Sequence, residues 1–154
     1  MSNDSIRLPY ALSIRPLNAG LFVSTGTGKH PVRMIDSHEL IFLRSGTLDL
    51  FEETQSFHIE AGDVLILWPG RLHGGLNSYE DDDSFYYVHF MLDGSLPSTD
   101  VDCLDIPRLT TVRNPDRLVE FLHCYLDAQE TGRLSDPYAS FLLMSMFCEI
   151  QRAN

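Results

Sequence analysis

Lysine is nearly missing from this sequence: Lys29 is the only one, beside ten arginines. That deficit fits codon usage and by itself carries no function. Acidic residues outnumber basic ones by 22 to 11, for a formal charge of −11. Such a surface repels phosphate, which argues against direct binding of these 154 residues to DNA, RNA or an anionic membrane. Cysteine is scarce as well. Cys103, Cys124 and Cys148 are odd in number, far apart and without a CxxC pair, a pattern of reduced thiols rather than of a disulfide framework or a zinc knuckle. No apolar run approaches the ~20 residues of a membrane span, and no basic-then-apolar leader opens the chain. A soluble, cytoplasmic protein without a membrane partner is expected. Internal repeats and low-complexity segments are absent too.

What is present suits one globular domain. Hydrophobic residues make up 44% of the chain, too many for a disordered one. A domain of this length can bury roughly 70% of the surface that its unfolded chain exposes. Up to about Asn114 the chain consists of short apolar runs separated by turn signals: "GLFVSTGTGKHP", "HELIFLRSG", "TLDLFEETQ", "SFHIEAGD", "VLILWPG" and "SFYYVHFML". β-Branched and aromatic segments punctuated by Gly, Pro and Asp argue for a sandwich or barrel. In the last of them Phe85, Tyr87, His89 and Met91 fall on one strand face, and Tyr86, Val88, Phe90 and Leu92 on the other. Both faces are apolar, so this strand is expected to be covered on both sides or to line a cavity. The acidic run from Glu80 to Asp83 reads as a solvated loop between strands.

After Asn114 the period becomes helical. Asn114 is placed to cap, Pro115 to occupy the first helical position, and Asp116 to favour the positive helix end. Leu118, Val119, Phe121, Leu122, Tyr125 and Leu126 form the apolar stripe, and Gly132 supplies the stop. A second helix starts at Ser135 or Asp136. Through "FLLMSMF" it is apolar almost all round, so it is expected to bury more than one face, against its own domain and against a second copy. It ends without a Gly or Pro stop, as expected of a chain cut inside a longer protein. The expected division is an arm over residues 1–16, a barrel over 17–112 and a helical segment over 113–154.

The most specific stretch is "GDVLILWPGRLHGGLN", Gly62 to Asn77. In it Gly62, Gly70, His73 and Asn77 fit the second motif of the cupin superfamily, with Trp68 where that family usually has Pro. Glu39 and Gly46 match the end of the first cupin motif. The resemblance implies a mainly β fold, a cupin-like jelly-roll barrel, here followed by an α-helical hairpin. It would also imply a metal, but the upstream HxH pair is missing: Arg33, Met34 and Ile35 stand there. Arg33 stays charged and would oppose a cation. His38 and Glu39 are strand neighbours and point to opposite faces. Glu39 and His73, with His38 or His89, do not obviously make the three or four ligands a metal needs. No cofactor and no metal are therefore expected.

A narrower resemblance covers Pro31 to Phe90. "PVRMIDSHELIFLRSGTLDL", "AGDVLILWPGRLHGG" and "SFYYVHF", in that order, look like the amino-terminal sensor domain of AraC-family bacterial transcription regulators. That resemblance implies a barrel that binds a small effector, often a sugar, helices that form a homodimer, and DNA binding through a further carboxy-terminal domain. It implies a regulator and not an enzyme. The alternative is a metal-dependent cupin isomerase or dioxygenase, against which the missing HxH counts.

The effector-binding candidates follow. Arg33 matches the arginine that reaches into the barrel in sugar-binding members, and its planar fork suits vicinal hydroxyls or a carboxylate. It shares strand parity with Glu39, so an Arg33–Glu39 ion pair is the structural alternative. His73 either closes the turn after Pro69 and Gly70 or faces the pocket. Tyr87 and His89, with Phe85 on the same face, lie on the strand that matches the family's effector-contacting strand. Aromatic rings with one polar atom suit a saccharide. Phe22 and Ser24 correspond loosely to effector-contacting positions. His30, His58 and His123 read as loop, strand and helix-surface histidines without a role.

Overall fold

The computed structural model describes residues 5–9, 13–94 and 103–151. Among them run β1 (Ser5–Pro9), β2 (Ser13–Val23), β3 (Arg33–Met34), β4 (His38–Ser45), β5 (Thr47–Glu52) and β6 (Gln55–Glu60). Then follow β7 (Asp63–Leu67), β8 (Leu72–Gly75), β9 (Ser84–Asp93), β10 (Cys103–Pro107), β11 (Leu109–Thr111), α1 (Pro115–Glu130) and α2 (Asp136–Gln151). The mainly β class closed by a helical pair is borne out. The chain gathers into two compact units, Ala19–His89 and Met1–Asn18 with Phe90–Asn154.

In the first unit two β layers enclose the core. One carries the order β7-β4-β9-β2, and the other β3-β8-β5-β6. Strand β4 is buried on both faces, which is why it reads as a continuous apolar run. Ile41 and Leu43 join Leu48, Leu50, Phe57, Ile59, Leu65, Leu67 and Phe85 in the barrel interior. Leu40 and Phe42 face the other way, and Phe42 stacks on Tyr86 at 6.3 Å. Side chains of this size contribute about 1.5–3 kcal/mol each when fully buried. Strand β9 has the expected cover on both sides: Phe85, Tyr86, Val88 and Phe90 are all buried.

The loop before β9 corrects one expectation. Glu80, Asp81 and Asp82 are exposed, but Asp83 is buried. Its carboxylate accepts the Thr47 N–H at 3.0 Å and the Glu80 N–H at 2.7 Å, so it holds two turns together. Gly46, the cupin-motif glycine, has φ +80°, and a Cβ there would meet Asp83 Oδ1 at 2.1 Å. Only glycine tolerates both the left-handed backbone and the close approach.

In the second unit β1 pairs antiparallel with β10, Ile6 opposite Ile106. The part of the expected arm at Ser5–Pro9 is thus a paired strand, a long-range partnership that local sequence does not encode. Residues 1–4 and 10–12 of that arm lie outside the described residues. Helix α1 starts as read: Asn114 Oδ1 accepts the Arg117 N–H at 3.3 Å, with Pro115 in the first turn. Helix α2 buries Ala139, Leu142, Leu143, Met146, Phe147 and Ile150. These make one broad face, and Phe147 meets Phe90 edge-on at 5.3 Å. Phe141 is 71% exposed and Tyr138 40%, so the apolar excess projects as an aromatic pair. Residues 152–154, where the helix reads as uncapped, lie outside the described residues. No described helix is long and apolar enough to cross a membrane. Cys103, Cys124 and Cys148 form no disulfide.

Candidate functional site

Glu39 is the centre of the site. On β4 it has the parity of Ile41 and Leu43, and so enters the barrel interior at 1% exposure. His38, one residue back, lies on the other side, with its ring 6.4 Å from that of Trp68. A carboxylate among apolar side chains requires partners. Four surround it: Arg33 Nη2 at 3.6 Å, His73 Nε2 at 3.7 Å, His89 Nε2 at 3.8 Å and His30 Nε2 at 3.9 Å.

Each partner arrives by its own route. Strand β3 is only Arg33–Met34, and the chain breaks before β4 instead of running through. Even so, the register sets Arg33 opposite His73 on β8, and the anticipated Arg33–Glu39 pair forms. His73 returns to the interior after Pro69 and Gly70, as the second motif required, and is fully buried. The turn is fixed by Glu52, opposite His73 on β5. Its buried carboxylate accepts the Trp68 N–H at 2.8 Å and Arg71 Nη1 at 3.2 Å, while the Arg71 guanidinium lies 4.6 Å above the Trp68 ring. His89 comes from β9, beside Tyr87 with ring centroids 5.6 Å apart.

By sequence His30 is a loop histidine without a role. It is in a loop, but 3% exposed, and its ring centroid lies 5.6 Å from that of His73. Gly74 and Gly75 of β8 explain its delivery. A Cβ at Gly74 would meet Val32 at 2.7 Å, and one at Gly75 would meet the His30 backbone nitrogen at 2.9 Å. Their bare backbone lets the incoming loop lie against β8, where the Gly75 N–H donates to the His30 carbonyl at 3.0 Å. The glycine pair was the sequence signal that could have found His30.

The remaining candidates fall into two groups. Phe85 and Phe22 stack at 4.9 Å, and Tyr79 closes on Phe22 at 4.5 Å; these line the core against which Tyr87 also packs. Ser24 is buried, but its hydroxyl accepts the Gly26 N–H at 2.9 Å inside a turn. Phe22 and Ser24 are held by these core and turn contacts, whereas Arg33, His73 and His89 surround Glu39.

Electrostatics follow from burial. Desolvation pushes the Glu39 carboxyl up to about 7, against the pull of Arg33. It pushes His30 down to about 3 and His89 down to about 4, helped in both by the Arg33 charge. His73 is lowered by the same two causes in the same order. The imidazoles are therefore neutral at pH 7, the form that ligates metals. Both ring nitrogens of His30 and of His73, and Glu39 Oε2, have no hydrogen-bond partner. Buried polar atoms without partners point to an additional group between them. The donor atoms of His30, Glu39 and His73 all lie within 4.8 Å of one another. The residues present thus fit a divalent ion, and His30 supplies the nitrogen that the missing HxH seemed to remove.

Comparison with known proteins agrees with this architecture. No family model matches the chain. Over 76 residues it is 32% identical to an HTH-type transcriptional regulator, YisR of Bacillus subtilis, covering 46% of this chain and 26% of that protein. The chain therefore spans about a quarter of the curated relative it matches. The crystal structure of apo ToxT from Vibrio cholerae superposes with a TM-score of 0.51 at 17% identity, over 89% of this chain and 53% of that one. A cupin 2 conserved barrel protein from Salinispora arenicola matches at TM-score 0.41 and 19% identity, over 58% and 83% of the two chains. The fold is shared with apo ToxT, a β structure followed by helices. The likeness over 76 residues to an HTH-type transcriptional regulator agrees with the resemblance to AraC-family sensor domains read from the sequence.

Proposed function

We propose that the chain is the effector-sensing and dimerising part of an AraC-type bacterial transcription regulator, cytoplasmic and without catalytic activity. The observation that carries this reading is the polar cluster of buried Glu39 and His73 with partly buried Arg33 and His89, inside a barrel that resembles a regulator's sensor. A core of this size has no structural use for so many unsatisfied polar atoms, since an apolar replacement would cost less. The effector is a small polar molecule, a saccharide in the first instance. Arg33 offers it a donor fork, and Tyr87 and His89 offer ring faces. An effector that binds one arrangement of the domain more tightly shifts the population, and a DNA-binding domain beyond residue 154 reads that shift.

A thermal-shift screen of mono- and disaccharides, uronates and small carboxylates, run in EDTA, tests the reading. At least one class is expected to stabilise the protein. Arg33→Ala should weaken that ligand about 10–100-fold, the value of a charged hydrogen bond. A flat screen, or a hit indifferent to Arg33→Ala, would refute effector sensing at this site.

The same reading makes the domain a homodimer through its closing helices, with exposed Phe141 and Tyr138 as the contact. Sedimentation should show a dimer that Phe141→Asp converts to a folded monomer. A wild-type monomer at ~100 μM would remove the dimer from the proposal, since obligate regulators associate far more tightly than this. The second reading is a metal-dependent cupin enzyme, and the proximity of His30, Glu39 and His73 is the observation in its favour.

A further inference from the structure

We propose that the outward side of the layer β3-β8-β5-β6 is a docking surface for a basic, amphipathic helix of a partner protein. Strand alternation sets this side apart from the barrel interior. Leu50 and His73 face inward, so Phe51, Leu72 and Gly74 face outward. The register sets Met34 opposite Leu72 and Phe51 opposite Gly74. A Cβ on Gly74 would meet the side chains of Val32 at 2.7 Å and Phe51 at 3.1 Å, so these two close over the glycine from either side. Val32, Met34, Leu72 and Phe51 are thus contiguous. Leu76 extends them, its N–H donating to the Asp49 carbonyl at 2.8 Å. Met34 is 60% exposed and Val32 57%, and Leu72 and Leu76 are exposed as well. Together they make a patch on the order of a few hundred Å2, the size at which an apolar patch on a monomer is often functional.

Charge and size choose the occupant. Glu53 is held against the patch, its Oε1 accepting the Leu72 N–H at 2.6 Å. Asp49 adjoins the patch on β5, and Glu60 lies beyond it on β6. Among the described residues of these four strands no outward position carries Lys or Arg, and His58 lies between Asp49 and Glu60. A second copy would bring two acidic rims together, at −11 per chain. It would also do so over an area well below the ~800 Å2 per partner of a stable interface. A segment whose apolar residues are flanked by Lys or Arg meets both parts of the face. Shape favours a helix. Strands β3 to β5 span two spacings of about 4.8 Å, close to the ~10 Å width of a helix. Leu72 to Leu76 extend over up to ~14 Å, enough for helix residues i, i+4 and i+7, which cover ~10 Å. So small an area makes the complex transient, with a Kd on the order of 10–100 μM.

These side chains face away from Glu39, so the surface does not depend on the effector reading. Fluorescence anisotropy of a labelled ~14-residue Leu/Lys peptide, with leucines at i, i+3, i+4 and i+7, titrated with the full chain tests it. Binding in the stated range is expected. A scrambled peptide of the same composition should bind at least about tenfold more weakly, because it lacks the continuous apolar face. Leu72→Gln and Met34→Gln should each weaken binding about fivefold to tenfold, with unchanged melting because both residues are exposed. Val23→Gln, at an exposed apolar residue on β2 in the other layer, should change nothing. Glu53→Gln should flatten the salt dependence. Equal affinity for the scrambled peptide would mean attraction by charge alone and would overturn the proposal, as would indifference to both Leu72→Gln and Met34→Gln. A dimer in sedimentation that survives Phe141→Asp and is lost in Leu72→Gln would also overturn it, since a second copy would then occupy the face. If one of the two Gln variants fails to fold, the other decides.

Discussion

Acidifying the metal-free protein from pH 7 to pH 5 is expected to lower its stability by about 4 kcal/mol. Burial holds His30 down to about 3, and both His38 and His89 down to about 4; His73 is lowered as well. In the unfolded chain each of them takes a proton near 6.5. Between about 6.5 and 4 the unfolded state therefore binds more protons, and stability falls as pH falls. Glu39 works in the other direction. Its carboxyl is raised to about 7, so below that pH the folded protein keeps a proton that the unfolded chain releases down to about 4.5. One carboxyl offsets one histidine, which leaves at least two uncompensated. Each is worth ~1.4 kcal/mol per pH unit, so two of them over the 1.5 units from 6.5 to 5 come to about 4 kcal/mol. Native domains hold only about 5–15 kcal/mol in total. Urea midpoints from pH 8 to pH 4.5 should decline steeply from about 6.5 downward. A flat profile to 4.5 would mean that these imidazoles are not buried and neutral.

The histidines behind that prediction also mark how far sequence reasoning reaches. Strands β4 to β7 and β9 are legible because β-branched and aromatic runs alternate with Gly, Pro and Asp, and local chemistry decides them. Glu39 and His73 are legible for a related reason: a strand fixes the side of every second residue, and a Pro-Gly turn fixes the return. His30 is not. A loop has no period, so nothing in "TGTGKHP" says which way its histidine points, and its position is set by the bare backbone of Gly74 and Gly75 across the barrel. Pairing of β1 with β10 is similarly silent, since about a hundred residues of chain separate partners whose own sequences carry no turn between them. Helix α2 errs in the opposite sense. Its composition reads as apolar all round, yet one face takes up most of the large side chains, and Phe141 and Tyr138 stand out on the exposed side.

Replacing Glu39 with glutamine is expected to make the protein more stable at pH 8.5 and worse at holding whatever the barrel holds. A carboxyl raised from 4.5 to about 7 is destabilising when ionised, by roughly 3 kcal/mol for the whole shift. Stability is therefore full below about 4.5 and lost as pH rises through 7. Glutamine has nearly the same volume and no charge to desolvate, so it avoids that loss. It does not recover all of it, because the buried amide still needs partners and Arg33 loses its counter-ion. A gain of about 1–2 kcal/mol at pH 8.5 remains, shrinking to near zero at pH 6, where the wild-type carboxyl is mostly protonated. Urea denaturation of both proteins at the two pH values measures it. If Glu39→Gln is instead the less stable at pH 8.5, the Arg33 pair outweighs desolvation and the carboxylate is there to hold the fold. The expected sign makes the opposite case. A charge kept in a barrel interior against its own stability is retained for a ligand, since a core under selection for stability alone would have lost it. The affinity for effector or ion that Glu39→Gln forfeits is then the other half of the same trade, and the two should move together across substitutions at this position.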